Sequence, residues 1–448
     1  MNTPIADFVR AYASSGSARF HMPGHKGAPL LGCEPLDITE ISGADSLYEA
    51  SGIIAESEKN ASILFGSART LYSTEGSSQC IRAMLALAVW NAPQNTRPTI
   101  VAARNVHKAF LYAAALLDFD VIWLYPEAPS PSLCACPVTP ESLEKTLSSL
   151  SAPPAAVYIT SPDYLGGQCD IPALAEVPHR HGAPLLVDNA HGAYLRFLSP
   201  SQHPLDLGAD LCCDSAHKTL PVLTGGAYLH ISPAAPTAFA ENARRALSLF
   251  GSTSPSYLIL QSLDLCNRYL SEDYPSRLTE TAARLEETRN LLRQNRWTIW
   301  DTDPLKLTIN CAASGWDGPA LAQKLRESKI ECEYCDQDDL VLMCTPENPP
   351  EDFRRLLACL GENRNPPRPR SPLPIAHSET VLPIRQAMFL PHETIPAERA
   401  LGRICGAPTV GCPPAIPIAA AGERIGPEAV SLFARYGIPA VEVLLESG

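Results

Sequence analysis

Apolar and polar positions follow two alternating periodicities from about residue 60 to residue 230. Short runs of apolar residues predict buried strands, and stretches with apolar residues at helical spacing predict helices between them. The predicted strands are 70–74, 99–103, 121–125, 155–160, 184–188 and 209–213, and the predicted helices are 78–90, 109–117, 140–150 and 171–181. This alternation is typical of crossover units, so we expect an α/β fold with a mostly parallel sheet in a large domain.

The pattern becomes helical after about residue 236. Helices are predicted at 238–249, 256–270 and 277–295, and then strands at 297–310 and 340–344 around a helix at 318–328. A proline-rich linker follows, because prolines interrupt both helix and central strand. We therefore predict an N-terminal segment (1–60), a large domain (61–235), a helical connector (236–295), a small α+β domain (296–362), a linker (363–375) and a C-terminal domain (376–448).

Composition excludes several classes of protein. The 448 residues are 45% hydrophobic, which supports a large core, and the net charge of −13 argues against a nucleic-acid partner. No apolar run approaches the ~20 residues that a membrane span needs, and the first residues resemble no secretory signal. Fifteen cysteines, several of them in predicted core segments, indicate reduced thiols, so we expect a cytoplasmic protein. Cys332 and Cys335 have the C-x-x-C spacing, but they have no second pair nearby, and we predict no metal site.

One lysine and one aspartate carry the most specific candidate chemistry. Lys218 follows the strand 209–213, and Asp188 ends the strand 184–188. In an open parallel sheet both carboxyl ends face one crevice. There the two side chains suit the two ends of pyridoxal 5'-phosphate, because the lysine binds the aldehyde and the acid keeps the ring nitrogen protonated. An aspartate at this point is alternatively a helix cap.

A glycine-serine turn supplies a candidate phosphate site. Gly76, Ser77 and Ser78 connect a predicted strand to a predicted helix. Free N–H groups at a helix start, with the positive end of the helix dipole, attract a phosphate. A serine there is also an ordinary N-cap. Ser215 and His217 lie beside Lys218 and suit the same phosphate.

Three histidine-containing segments have more than one interpretation. His191 either orients Asp188 or the cofactor, or closes the turn after the strand. His107 follows the strand 99–103 and either stacks on a pyridine ring or packs in the core. The segment 20–27 is dense in functional groups, and its composition alone does not separate a functional loop from a charged one.

Ordered motifs along nearly the whole chain resemble the Orn/Lys/Arg decarboxylase family, a fold-type-I group that uses pyridoxal phosphate. The chain is most similar to the shorter bacterial members, which lack an extra N-terminal receiver-like domain. The matching segments are 21–27 (His-Met-Pro-Gly-His-Lys-Gly), 37–40, 65–66, 105–108, 160–162, 188–193 (Asp-Asn-Ala-His-Gly-Ala), 215–220 (Ser-Ala-His-Lys-Thr-Leu), 402–403 and 412–417.

The resemblance implies roles for several of these residues. Lys218 would bind the cofactor covalently, Asp188 would pair with the pyridine nitrogen, and His107 would stack on the ring. The phosphate would be held by Ser77, Ser78, Ser215 and His217. The resemblance also implies a homodimer, or a higher assembly, with active sites at the subunit interface.

Four departures from the family pattern bear on the substrate and the phosphate contacts. The family usually has glutamate where Asn189 stands, and glycine in place of Ala415. The residues around Asp163 and Ser78 also differ from the usual pattern.

The expected activity is decarboxylation of arginine, lysine or ornithine to a polyamine precursor and carbon dioxide. Lys218, Asp188 and His191 are the candidate catalytic residues, and His191, Lys218 and His25 are candidate proton donors. One alternative is an aminotransferase or lyase of the same fold, in which Arg385 or Arg403 would grip the α-carboxylate. Another is a non-catalytic relative that binds the cofactor and regulates a partner.

Overall fold

The computed structural model describes residues 1–93, 97–127, 132–369, 373–374, 377–408 and 416–446. Within them the helices are α1 (Pro4–Ser14), α2 (Ile53–Phe65), α3 (Ser77–Asn91), α4 (Lys108–Leu117), α5 (Pro140–Ser148), α6 (Ile171–Arg180), α7 (Ala216–Thr219), α8 (Thr237–Ser248), α9 (Tyr257–Ser271), α10 (Tyr274–Gln294), α11 (Gly318–Glu327), α12 (Pro350–Leu360), α13 (Ile384–Phe389) and α14 (Pro427–Arg435). The strands are β1 (Arg69–Ser73), β2 (Thr99–Ala103), β3 (Asp120–Leu124), β4 (Ala156–Thr160), β5 (Leu185–Asp188), β6 (Leu211–Asp214), β7 (Ala227–Ile231), β8 (Lys306–Asn310), β9 (Tyr334–Cys335), β10 (Asp339–Met343), β11 (His392–Pro396) and β12 (Ala440–Leu444).

The chain divides into two compact units. The first comprises Met1–Asn91 and Pro184–Leu278, and the second comprises Ala92–Ala183 and Thr279–Gly448. The six segments proposed from the sequence stay a prediction.

Four strands of the first unit lie in the order β1-β7-β6-β5. Strands β5 and β6 are parallel, with Val187 opposite Cys212 and Asp188 opposite Cys213. Strand β7 runs antiparallel to both β6 and β1. Every residue of β5, β6 and β7 is buried, and burial on both faces explains why the parallel strand β5 is preceded by and begins with apolar residues.

The second unit contains three small groups of strands. Strand β2 pairs in parallel with both β3 and β4. Strands β8, β10 and β9 form an antiparallel sheet, and its residues pack with α11 and α12 in one core that includes Leu307, Leu340 and Leu356. Strands β11 and β12 form an antiparallel pair.

The predicted α/β class with a mostly parallel sheet is confirmed. The strand predicted at 99–103 coincides with β2, and most other predicted elements differ from the observed bounds by one to three residues. The sequence reading missed α1, α2, α12 and the antiparallel strand β7.

The single strand predicted at 297–310 is wrong. The observed strand β8 begins at Lys306, and the residues before 301 fold back against it. The N–H of Trp300 donates to the carbonyl of Thr308 at 3.0 Å, and Ile299 forms a bridge with Ile309. Pro304 lies in the turn between the two segments, and proline favours a turn over a continuous central strand.

Two sequence features fall partly outside the described residues. They are positions 370–372 and 375 of the predicted linker, and positions 412–415 of the late motif, including Ala415. Among the described residues, no helix combines the length and the hydrophobicity that crossing a bilayer requires.

Candidate active site

Lys218 and His191 face each other in the first unit. Lys218 lies in the short helix α7, which follows β6, and His191 lies in the turn that follows β5. Because β5 and β6 are parallel, both turns leave the same edge of the sheet. The Nζ atom of Lys218 is 2.9 Å from the Nε2 atom of His191. His191 is buried, with 6% of its surface exposed, and Lys218 is half-buried.

Asp188 lies at the carboxyl end of β5 and is 2% exposed. Its Oδ1 atom accepts hydrogen bonds from the N–H of Ala190 at 3.2 Å and from the thiol of Cys213 at 3.7 Å. Burial raises the pKa of Cys213, and the nearby negative charge of Asp188 raises it further. The thiol therefore stays protonated and donates to the carboxylate.

The glycine-serine turn contacts Ser215, which lies three residues before Lys218. Gly76 has a φ of +73°, which favours glycine, and its N–H donates to the carbonyl of Gly225 at 2.7 Å. Helix α3 begins at Ser77, whose hydroxyl accepts a hydrogen bond from the Ser215 hydroxyl at 2.7 Å. Ser78 follows in the first turn of the same helix. The structure thus brings Ser77 and Ser215 together at a helix N-terminus.

His217 is turned towards the glycines that precede β7. Its Nδ1 atom is 3.0 Å from the carbonyl oxygen of Gly226, so Nδ1 carries the proton and donates. The backbone N–H of His217 is bonded to the same carbonyl at 3.2 Å. The contact predicted between His217 and a phosphate stays a prediction.

His107 belongs to the second unit and caps helix α4. Its Nδ1 atom accepts a hydrogen bond from the N–H of Ala109 at 3.2 Å. The backbone N–H therefore fixes the orientation of this ring at the start of the helix. Its predicted stacking on a cofactor ring stays a prediction.

Sequence reasoning did not assign a role to Gln79, which is buried and holds the glycine-serine turn in place. Its Oε1 atom accepts from the Ser73 hydroxyl at 2.6 Å, and its Nε2 atom donates to the Tyr48 hydroxyl at 2.8 Å and to the Leu247 carbonyl at 2.9 Å. A glutamine near the start of an apolar-rich helix was the available signal, because a buried amide requires partners.

The family model for the Orn/Lys/Arg decarboxylase major domain matches residues 3–305. The chain belongs to the Orn/Lys/Arg decarboxylase family. Members of this family are amino-acid decarboxylases that depend on pyridoxal phosphate, and the chain is such an enzyme.

Relatives of this decarboxylase cover nearly its full length. It is 30% identical to the uncharacterized protein YaaO of Bacillus subtilis (strain 168), over 97% of this chain and 94% of that protein. It is 29% identical to an arginine decarboxylase of the same organism, over 96% of this chain and 92% of that protein.

Solved structures share the fold of this decarboxylase. A Francisella novicida lysine decarboxylase matches with a TM-score of 0.82 at 16% identity, over 99% of this chain and 81% of that one. The E. coli constitutive lysine decarboxylase matches with a TM-score of 0.79 at 18% identity, over 99% of this chain and 82% of that one. The predicted fold-type-I fold is therefore confirmed.

Proposed function

We propose that this enzyme removes the α-carboxylate of a basic amino acid, with arginine as the best-supported substrate, and releases carbon dioxide and the corresponding amine, a polyamine precursor. Several full-length relatives at 25–29% identity are named arginine decarboxylases. The observation that carries the proposal is the Lys218–His191 pair beside the buried Asp188.

The residues of the first unit fit pyridoxal phosphate. Lys218 offers the amine to which the aldehyde binds, and Asp188 offers a buried acid for the pyridine nitrogen. The hydroxyls of Ser77 and Ser215, together with the start of α3, are a donor set suited to a phosphate. When bound, the cofactor draws electrons from the α-carbon and so makes loss of the carboxylate possible.

The chain's own side chains then control proton movement. The contact between His191 and the Nζ atom of Lys218 supports a role for His191 in taking a proton from that atom or returning one to it. His191 and Asp188 are buried, which strengthens the electrostatic contacts that these two side chains make.

The aminotransferase alternative receives less support from its candidate arginines. Arg403 is paired with Glu393 at 2.6 Å and with Glu446 at 2.9 Å. Arg385 donates to the carbonyl of Ala115 at 2.8 Å. Both guanidinium groups are thus engaged within the second unit. The homodimer and the cytoplasmic location are parts of the proposal that rest on the family resemblance and on composition.

Product analysis tests the proposal. Purified protein, loaded with pyridoxal phosphate, is incubated separately with arginine, lysine and ornithine, and carbon dioxide and amine are measured. We expect equimolar carbon dioxide and amine, with the highest kcat/KM for arginine, and no product from Lys218→Ala. A keto acid in place of the amine would support the aminotransferase. Bound cofactor without turnover of any of the three amino acids would support the regulatory relative.

A further inference from the structure

Asp214 ends strand β6 immediately before Ser215 and is fully buried. Its carboxylate accepts hydrogen bonds from three side chains of the first unit. The Oδ1 atom accepts from Asn189 Nδ2 at 2.6 Å. The Oδ2 atom accepts from His203 Nε2 at 3.1 Å and from His230 Nε2 at 3.0 Å. Three separate segments of the chain therefore converge on one buried acid.

The protonation states in this cluster follow from its hydrogen bonds. A carboxylate only accepts, so the amide of Asn189 must present its nitrogen and each imidazole must present an N–H. Burial alone would raise the pKa of Asp214, but its electrostatic interactions and hydrogen bonds with His203 and His230 outweigh this effect and hold the pKa below its usual value. Burial lowers the pKa of His230, which favours the neutral ring. The core thus holds an ionised acid.

A metal ion is a competing interpretation of the same cluster. One ligand atom from each of His203, Asp214 and His230 lies within 4.8 Å of the others. A histidine that binds a metal usually donates its second N–H to a partner. Over the part of the chain that the structure describes, Nδ1 of His203 has no hydrogen-bond partner. Nδ1 of His230 lies 2.8 Å from the Thr70 hydroxyl, so one of the two imidazoles has the second partner that is usual for a metal ligand and the other has none among the described residues. Because both histidines are usually anchored in this way at a metal site, we interpret the cluster as a hydrogen-bond network.

The network connects the two segments that present the candidate catalytic groups. We call residues 188–191 and 215–218 the catalytic segments. Asn189 lies within the first, and Asp214 directly precedes the second. The backbone N–H of Asn189 also donates to the carbonyl of Cys213 at 3.0 Å. We propose that Asp214 is a positioning residue that holds the catalytic segments together through the amide of Asn189.

This proposal accounts for one departure from the family pattern. The resemblance places a glutamate where Asn189 stands. A carboxylate at position 189 would lie against the carboxylate of Asp214, and two like charges at hydrogen-bond distance in a buried site repel each other strongly. The amide at 189 is therefore matched to the acid at 214. The inference rests on the proposed function, because it assigns Asp214 a role in that active site.

An isosteric exchange tests the pairing. Asn189→Asp replaces the donor with a second carboxylate, and Asp214→Asn removes the acid without changing its shape. The double variant Asn189→Asp/Asp214→Asn restores one donor and one acceptor with their positions exchanged. Three quantities are measured: kcat/KM, the pH midpoint of the near-visible absorption band of bound pyridoxal phosphate, and the unfolding free energy of cofactor-free protein.

We expect Asn189→Asp to lower kcat/KM about 100-fold and to shift the absorption midpoint, and the double variant to recover at least about tenfold of that loss. Asp264→Asn is the control, because Asp264 is another buried acid of the same unit, and it bonds to the N–H groups of Ile5 and Ala6. It should change unfolding but not the absorption midpoint. If Asn189→Asp does not fold, the proposal makes two further demands. Asp214→Asn must shift the pH midpoint of the absorption band, and the double variant must fold.

Three outcomes would overturn the proposal. The first is an active wild type whose double variant is no better than Asn189→Asp. The second is an absorption midpoint that is the same in Asp214→Asn as in the wild type. The third is equimolar zinc or another transition metal in the purified wild type. A wild-type protein that takes up no cofactor and makes no amine would overturn the proposed function as well. Activity of the wild type therefore distinguishes a failure of the Asp214 proposal from a failure of the proposed function.

Discussion

His191 Nε2 lies 2.9 Å from Lys218 Nζ, although the two residues belong to different turns of the chain. At this distance one nitrogen donates a hydrogen bond and the other accepts it. The register of two parallel strands, β5 and β6, produces this approach.

Replacing His191 tests whether that contact serves catalysis. In His191→Phe a ring of similar size remains, but it cannot exchange a proton with Lys218. We expect kcat to fall about tenfold to hundredfold, with one limb of the pH–rate profile flattened. The measurement is kcat from pH 6 to pH 9. His179→Phe, at an exposed histidine, is the control and should keep the wild-type profile. An unchanged profile in His191→Phe would restrict His191 to closing its turn.

The hydroxyls of Ser77 and Ser215 should hold the cofactor phosphate. Ser77→Ala and Ser215→Ala each remove a hydrogen bond to a charged group, so we expect the Kd for pyridoxal phosphate to rise about tenfold or more. Titration of cofactor-free protein, followed by absorption, measures it. Ser271→Ala removes an exposed hydroxyl that bonds to the Arg268 carbonyl and should leave Kd unchanged. Equal Kd values for all three variants would place the phosphate elsewhere.

Gly225 is required by the close approach of two backbone segments. Its φ is +100°, and a Cβ atom there would lie 2.9 Å from the carbonyl oxygen of Thr74. We expect Gly225→Ala to lower the free energy of unfolding by about 2 kcal/mol or more, and to weaken cofactor binding, because the turn at Gly76 must shift.

Gly16→Ala is the matched control for Gly225→Ala. Gly16 has a φ of +72°, and a Cβ atom there would have no neighbour within 4 Å. Only backbone strain of about 1 kcal/mol is expected. Chemical denaturation of both variants separates strain from collision, and equal losses would contradict the close-approach argument.

Asp163 should make stability depend on pH. Burial raises its pKa to about 6, against the opposing positive charge of Lys306. The folded state therefore binds this proton more tightly than the unfolded state. The resulting stabilisation is complete below pH 4 and is lost as the pH rises through about 6. Asp163→Asn cannot lose a proton, so its unfolding free energy relative to wild type should rise by about 1–3 kcal/mol between pH 4 and pH 7.

Denaturant titrations of Asp163→Asn and wild type at several pH values measure this difference. Asp170→Asn, at an exposed helix cap, serves as the control. A difference between Asp163→Asn and wild type that does not change from pH 4 to pH 7 would show that Asp163 does not contribute to the pH dependence.

Local patterns predicted the elements that are buried on both faces. The strand at 99–103 and the acid at the carboxyl end of β5 could be predicted from the sequence. A short run of consecutive apolar residues between turn signals is typical of a fully buried strand. The segment 297–310 was misread because apolar residues of a hairpin and of one long strand look alike when the turn is short. Strand β7 is also fully buried but was missed, because His230 interrupts its short apolar run.

The fold class, the family, and the candidate lysine, aspartate and serines all follow from the amino-acid sequence, because periodicity and motifs can be recognised without knowledge of contacts. The convergence of Asn189, His203 and His230 on Asp214 is visible only in the folded chain. These residues come from three separate segments, and their hydrogen bonds exist only once β5, β6 and β7 are in register. The fold brings the hydrogen-bond donors of a buried acid together from distant parts of the chain. Their spacing in the sequence therefore does not predict which residues they are.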